Sequence, residues 1–417
     1  MSNEHEVNVS VQDAQQEAPL HFPFPLADHS LELPKEYTQL QTKCPVAHVK
    51  MPYGGDALLL THHADIVKAA NDVQRCGMIL SSDGDVPRQE LTPRTREGSL
   101  FTVTPERHNQ IRRLVTQAFT VKRANEMRPG VVALTNRLID EMERKGPPAD
   151  LYEDYAIRTP MVVICELLGI PYEDEKLFRE WGRDLLSRTA TAEEQQERWQ
   201  KMVQYIMPLI EKERINPSNT VLGLLVKNRA QGDDVLTEQE MLSFALGLIA
   251  AGFETTSTSF TNSVFMLFQR PDLLEQLKAR VDDDEAMASA IEEILRLSLL
   301  GTGGRPRITR AEVEFSGVRV PPGEVLMLPF NAGNRDPAVF PDPDVMDFER
   351  QPNPILSFGR GIHACLGQQL ARMEMQVLWA TLLKRMPDVR LAVAPSEVPW
   401  RSGITATTGP AHLPVIW

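Results

Sequence analysis

The sequence predicts a mainly α-helical protein with a minor β part, and three observations carry that expectation. Apolar residues recur at helical spacing from about residue 105 to 300. Short strand-like runs gather instead toward the two ends of that stretch, at 47–61 and 312–330. One apolar segment continues from Thr237 to Arg270, far too long for a strand.

Taken in order, the chain opens with a polar, acidic stretch carrying Glu4, Glu6, Asp13 and Glu17, read as a mobile tail over residues 1–20. Residues 21–417 are expected to form a single domain, because no Gly/Ser-rich or Pro-rich linker and no repeat divides them. Runs at 47–51 and 57–61, joined by Pro52, Tyr53, Gly54 and Gly55, predict a hairpin. The charged stretch 193–198 reads as a solvated helix surface or loop. Thr237 followed by Glu240 is a capping box that opens the long apolar segment, and Pro271 stops it, giving a helix of roughly 50 Å. Its middle holds Gly247, Gly252, Glu254, Thr255 and Thr256, where helix propensity favours Leu or Ala. Runs at 313–315, 318–320 and 325–328, separated by Ser316-Gly317 and Pro322-Gly323, predict short strands. Leu366, Leu370, Met373 and Val377 then mark a last helix.

Composition narrows the function. The 417 residues carry 44 Lys+Arg against 57 Asp+Glu, a net charge of −13, and 42% are hydrophobic. That is too apolar for a disordered chain and too acidic for nucleic acid to be the expected partner. Cys44, Cys76, Cys165 and Cys365 form no C-x-x-C pair, which argues against a disulfide framework or zinc ribbon. The stretch 1–19 carries neither an apolar signal core nor a run near 20 apolar residues, so the expectation is a cytoplasmic protein without a membrane partner.

Cys365 is the first chemical candidate. It ends a Gly-rich loop and abuts a helix N-terminus, where backbone N–H groups and the helix dipole favour a thiolate. On the residues alone it is a thiolate ligand or a nucleophile, or else a small buried side chain. Gly247, Ala251 and Thr255 fall at i, i+4 and i+8, keeping one face of the long helix small. Glu293 and Arg296 stand one turn apart, which alone marks an ordinary i, i+3 pair.

The spacing Phe358, Gly361, His363, Cys365, Gly367 follows the haem-binding signature F-x-x-G-x-H-x-C-x-G without departure, and by it the sequence resembles the cytochrome P450 superfamily, particularly its soluble bacterial members. Ala251-Gly252-Phe253-Glu254-Thr255-Thr256 is similar to the family's oxygen-activation motif, with Glu254 where many members have Asp. The resemblance runs from about Phe22 to the C-terminus and implies the cytochrome P450 fold, haem b with Cys365 as axial thiolate, and a monooxygenase that activates dioxygen with two electrons and two protons. It implies Glu254 and Thr255 as the proton-delivering pair and His108, Arg112, Arg307 and His363 as contacts of the haem propionates, with Arg305 able to exchange roles with Arg307. Arg350 is expected to complete a structural network with Glu293 and Arg296. Substrate contacts are expected at Phe244, Gly247, Leu248, Ala251, Leu300 and Ile404, with the Gly-rich loop 299–304 leaving room beside the haem.

The implied substrate is a medium-sized, largely apolar small molecule of bacterial secondary metabolism. It is to be hydroxylated or, in the alternative, handled as by members that act on cyclic dipeptides, couple aromatic rings or run on peroxide. A chain of this length has no space for a flavin reductase beside the haem domain, so electrons are expected from a separate ferredoxin and ferredoxin reductase. Arg112, Arg113, Arg360 and Arg372 are the candidate docking charges, and the protein is expected to be a monomer.

Overall fold

Thr237 caps the longest helix, Glu238–Leu267, with both arms of the capping box. The Glu240 N–H donates to the Thr237 hydroxyl at 3.1 Å, and the Thr237 N–H donates to the Glu240 carboxylate at 2.8 Å. Its 30 residues span about 45 Å. The helix closes at Leu267 rather than at Arg270, because Arg270 is the cap of the next helix, Pro271–Lys278, with Pro271 in its first turn. The computed structural model describes residues 20–92, 99–174, 177–181, 187–229, 236–401 and 406–417. Residues 1–19 of the expected tail lie outside these. Leu20, assigned to that tail, instead begins a strand.

The long helix packs against the helix Arg158–Leu168, while Gln368–Arg385 packs against Val121–Lys145 and Asp284–Leu297. Gly252 permits the first of these contacts, since a Cβ there would stand 2.7 Å from Ile164 Cδ1. Trp379, fully buried on Gln368–Arg385, donates its indole N–H to Ser263 Oγ on the long helix at 3.0 Å. The stretch 193–198 forms the first turns of the helix Ala192–Ile215, on its solvated side.

The principal sheet has six strands in the order Leu20–His21, Val46–Lys50, Asp56–Leu60, Val325–Leu328, Arg305–Thr309, Cys76–Gly77. Its second and third strands form the expected antiparallel hairpin, Val46 facing Leu60. Val313–Phe315 and Val318–Val320 form a second hairpin, with positive φ at Ser316 and Gly317 suiting its two-residue turn. Arg305–Thr309 was absent from the sequence reading. Pro306 argues against a strand, yet it sits in an antiparallel pairing with Met327. Ala149–Asp150, Pro414–Ile416 and Arg390–Leu391 make a third, antiparallel sheet.

Glu293 is fully buried and accepts five hydrogen bonds: two from Arg296, one each from the Arg350 guanidinium, the Asp347 N–H and the Asn353 amide. Arg296 also donates to the carbonyls of Asn334, Pro343 and Val345. What the i, i+3 spacing alone marks as a surface pair is a buried, saturated network tying the helix Asp284–Leu297 to the segment before the Cys365 loop.

Candidate active site

The loop before Gln368–Arg385 is shaped by two glycines at positive φ, Gly359 at 70° and Gly361 at 71°. At Gly361 a Cβ would also meet the Ala70 carbonyl oxygen at 2.4 Å, so only glycine fits. Gly367 differs: it caps the helix at φ −82°, and a Cβ there would meet nothing within 4 Å. The Cys365 N–H donates to the Phe358 carbonyl at 2.7 Å, which closes the loop, and the Arg372 guanidinium lies 4.4 Å from the Phe358 ring centroid. Burial pushes the Cys365 thiol up, against the Gly367 N–H and the charges of Arg112, Arg305 and Arg372, all of which favour the thiolate. Its side chain nevertheless has accessible surface, so it faces internal space that a ligand of its sulfur could enter.

Four basic groups gather beside it. Thr104 caps the helix Pro105–Val115, accepting from the Arg107 N–H, and that helix carries His108 and Arg112 one turn apart. Arg112 donates to the Ile362 carbonyl at 2.9 Å. The rings of His108 and His363 meet edge to face at 4.4 Å, and Arg307 projects from its strand with 4% of its surface exposed. Arg305, two residues before it on the same strand, is exposed, and its charge also acts on Cys365 and Arg307.

Burial, with Arg307, His108 and Arg112 adding their charge, drives His363 down to about 3. Burial and Arg305 lower Arg307 to about 10, and burial with Arg112 lowers His108. Nδ1 of His108, Nδ1 of His363 and Nε of Arg307 meet no hydrogen-bond partner among the described residues. Buried cations and donors without an acceptor are costly, so the cluster is built for an anionic group, and the two propionates of haem b fit it.

On the long helix, Gly247 and Ala251 are exposed and Leu248, Gly252 and Thr255 half-buried, in a segment otherwise crossing the core. A Cβ at Gly247 would meet nothing within 4 Å, so the face expected to be small does border open space. Phe244 does not join it: its side chain is 4% exposed and belongs to the core. The Thr255 hydroxyl donates to the Ala251 carbonyl at 2.9 Å. Glu254 is buried, and its two carboxylate oxygens accept from Arg401 Nη1 at 2.9 Å and from the Tyr152 hydroxyl at 3.3 Å.

The sequence reading missed both partners. They lie 147 and 102 residues away in sequence, and no local pattern marks them.

The Gly-rich loop also departs from expectation. A Cβ at Gly301 would meet the Ala406 carbonyl oxygen at 2.3 Å, one at Gly303 the Gln89 Oε1 at 2.1 Å, and one at Gly304 the Leu328 backbone at 3.1 Å. These glycines admit neighbouring chain rather than leave room. Leu300 is half-buried there, its carbonyl accepting from the Thr408 N–H. Ile404 lies outside the described residues. Of the docking candidates, Arg113 is exposed, whereas Arg372 is engaged by both oxygens of Glu292.

The cytochrome P450 family profile matches residues 14–387. Mycinamicin IV hydroxylase/epoxidase of Micromonospora griseorubida is 40% identical over 398 residues, 94% of this chain and 98% of that protein. Nocardicin C N-oxygenase of Nocardia uniformis subsp. tsuyamanensis is 38% identical, with the same coverage. Among solved structures, the LnmA cytochrome P450 hydroxylase from the leinamycin biosynthetic pathway of Streptomyces atroolivaceus S-140 superposes with a TM-score of 0.86 at 37% identity, covering 95% of this chain and 100% of that one.

Proposed function

The chain belongs to the cytochrome P450 family and is a haem-thiolate monooxygenase of small molecules; from that premise we propose which of its residues hold the cofactor and which move protons. Cys365 binds the iron. His108, Arg112, Arg307 and His363 bind the propionates. The observation that carries this assignment is the cluster itself: four basic groups beside the one signature cysteine, with unpartnered buried nitrogens on three of them. When bound, haem would supply the activation of dioxygen, with one oxygen atom going to the substrate and the other leaving as water.

The protein's part is orientation and protons. Glu254 delivers a proton to Thr255 Oγ1, whose hydroxyl turns from the Ala251 carbonyl to pass its own proton into the site, and the carboxylate is then reprotonated from solvent. The Thr255 hydroxyl donates within the helix and keeps its lone pairs to accept a proton. Gly247, Leu248, Ala251, Leu300 and Ile404 contact the substrate, an apolar and medium-sized natural product. That choice follows the uncharged character of these side chains and the similarity to a mycinamicin IV hydroxylase/epoxidase and a nocardicin C N-oxygenase. Electrons come from a separate ferredoxin and its reductase, docking on the side of Cys365 near Arg113 and Arg360, and the protein works as a cytoplasmic monomer. No helix among the described residues is long and apolar enough to cross a membrane.

The carbon-monoxide spectrum of the reduced holoenzyme tests the assignment. The red-shifted thiolate Soret band is expected in the wild type and must vanish in Cys365→Ala; its persistence there would overturn the ligand.

A further inference from the structure

The loop 299–304 has no regular structure, yet its backbone is not free. The carbonyl of Leu299 accepts from Asn262 Nδ2 at 2.9 Å, that of Leu300 from the Thr408 N–H at 2.9 Å and that of Gly301 from Asn331 Nδ2 at 2.7 Å. Thr302 accepts from the Tyr37 hydroxyl at 3.3 Å and Gly304 from Gln89 Nε2 at 3.1 Å. A connecting loop ordinarily gives its carbonyls to water and moves. This one is fastened almost carbonyl by carbonyl to other parts of the fold.

Asn262 differs from the other side-chain anchors. It is fully buried, and its two amide hydrogens serve two segments: Nδ2 donates to the carbonyls of Leu299 and Thr408, both at 2.9 Å, across 37 and 146 residues of sequence. The Thr408 N–H in turn donates to the Leu300 carbonyl, so loop, C-terminal turn and amide are tied in a closed circuit. The fit is tight on both sides. A Cβ at Gly409, where φ is 131°, would stand 1.8 Å from Asn262 Oδ1, and one at Gly301 would stand 2.3 Å from the Ala406 carbonyl oxygen.

Asn262 lies seven residues past Thr255 on the helix Glu238–Leu267, hence on the same face and about 10 Å further along. The face that is exposed at Ala251 therefore runs on to the residue that ties both segments down.

We propose that Asn262 is a positioning residue for the substrate: its amide clamps the loop 299–304 and the turn 406–409 into one fixed wall that presents Leu300 before a ligand arrives. The proposal rests on the reading of Leu300 as a substrate contact given above. Asn262 touches no substrate itself. A wall already ordered need not be ordered on binding, so a molecule large enough to press on it gains from the clamp and a small one does not.

The test titrates the ferric holoenzyme with two azoles that bind the iron through nitrogen, imidazole and the bulky triaryl compound clotrimazole, and follows the Soret difference spectrum. Asn262→Leu keeps the volume and removes both donors. It should weaken clotrimazole about tenfold and leave imidazole within about twofold. Amide hydrogen exchange should rise about tenfold in peptides covering 299–304 and 406–412 together, while the helix Gln368–Arg385 keeps its protection. Asn331→Leu, which frees the Gly301 carbonyl alone, should raise exchange in 299–304 only.

Should Asn262→Leu fail to yield holoenzyme, Gly409→Ala displaces the same amide from the turn side and should raise exchange in the distant stretch 299–304. Exchange that rises in one stretch only, or equally in the helix Gln368–Arg385, would reduce Asn262 to a structural role and overturn the proposal, as would equal weakening of both azoles. Leu300→Ala separates this from the reading beneath it. If that variant leaves clotrimazole affinity unchanged, Leu300 is not a ligand contact and that reading fails. If it weakens clotrimazole and Asn262→Leu does not, only the role of Asn262 falls.

Discussion

Glu374 carries a sharp stability prediction. It lies on the helix Gln368–Arg385, nine residues past Cys365, with 3% of its surface exposed, and its Oε2 meets no hydrogen-bond partner among the described residues. Burial alone pushes its carboxyl up from 4.5 to about 8. The folded protein therefore binds this proton more tightly than the unfolded chain does. Below the unfolded value both states are protonated and the site costs nothing. As pH rises toward the folded value the unfolded chain releases the proton first, so stability is lost across about pH 4.5 to 8. With each pH unit worth about 1.4 kcal/mol, the cost at pH 7 is about 3 kcal/mol.

Glu374→Gln keeps the shape and removes the titration. Urea unfolding of the two holoenzymes, followed by tryptophan fluorescence and the thiolate Soret band from pH 5 to 9, should give stabilities that differ through this titration by only about 1 kcal/mol at pH 5. The difference should then widen in favour of the variant by about 1.4 kcal/mol per unit and level off near pH 8. Comparing the two proteins at each pH cancels every other titrating group. A difference flat in pH, or a wild type that gains on the variant as pH rises, would refute the reasoning.

Three further outcomes follow from the site. Arg307→Met should remove one charge-assisted bond to a propionate, worth about 1.5–3 kcal/mol, and so speed haem transfer to apomyoglobin about 10- to 100-fold; an unchanged rate would remove Arg307 from the propionate cradle. Glu293→Gln leaves the Arg296 charge buried without its counter-charge and should cost about 3–5 kcal/mol in urea unfolding, whereas a loss below about 1 kcal/mol would show the network to be dispensable. Arg113→Glu should slow reduction by an acidic ferredoxin about tenfold at low ionic strength and little at high, because exposed charges are screened beyond about 3 Å at 1 M salt; a salt-independent effect would place the docking face elsewhere.

The features legible in the sequence were those whose physical cause is local. Thr237 and Glu240 satisfy each other's backbone groups within one turn, so the start of the long helix could be read to the residue. The loop around Cys365 depends on Gly361 at positive φ and on a helix starting just beyond, again short-range matters. Glu293 and Arg296 were readable as a pair, but their burial and saturation come from Asp347, Arg350 and Asn353, which only the fold brings there. Arg401 and Tyr152 have no such signature, because nothing near Glu254 in the chain specifies a partner from the C-terminal segment.

The glycines show why this limit is physical rather than a matter of closer reading. Gly247 and Gly252 sit five residues apart on one helix, and Gly301 and Gly303 two apart in one loop. A side chain at Gly247 would enter open space, while one at Gly252 would strike Ile164 and one at Gly301 the Ala406 carbonyl. The same residue thus makes room in one place and lets two chain segments touch in another. Glycine records only that a Cβ is unwanted. Whether a ligand or the protein itself comes close is decided by what lies opposite, and that is why the loop 299–304 reads as roomy from its sequence and is crowded in the fold.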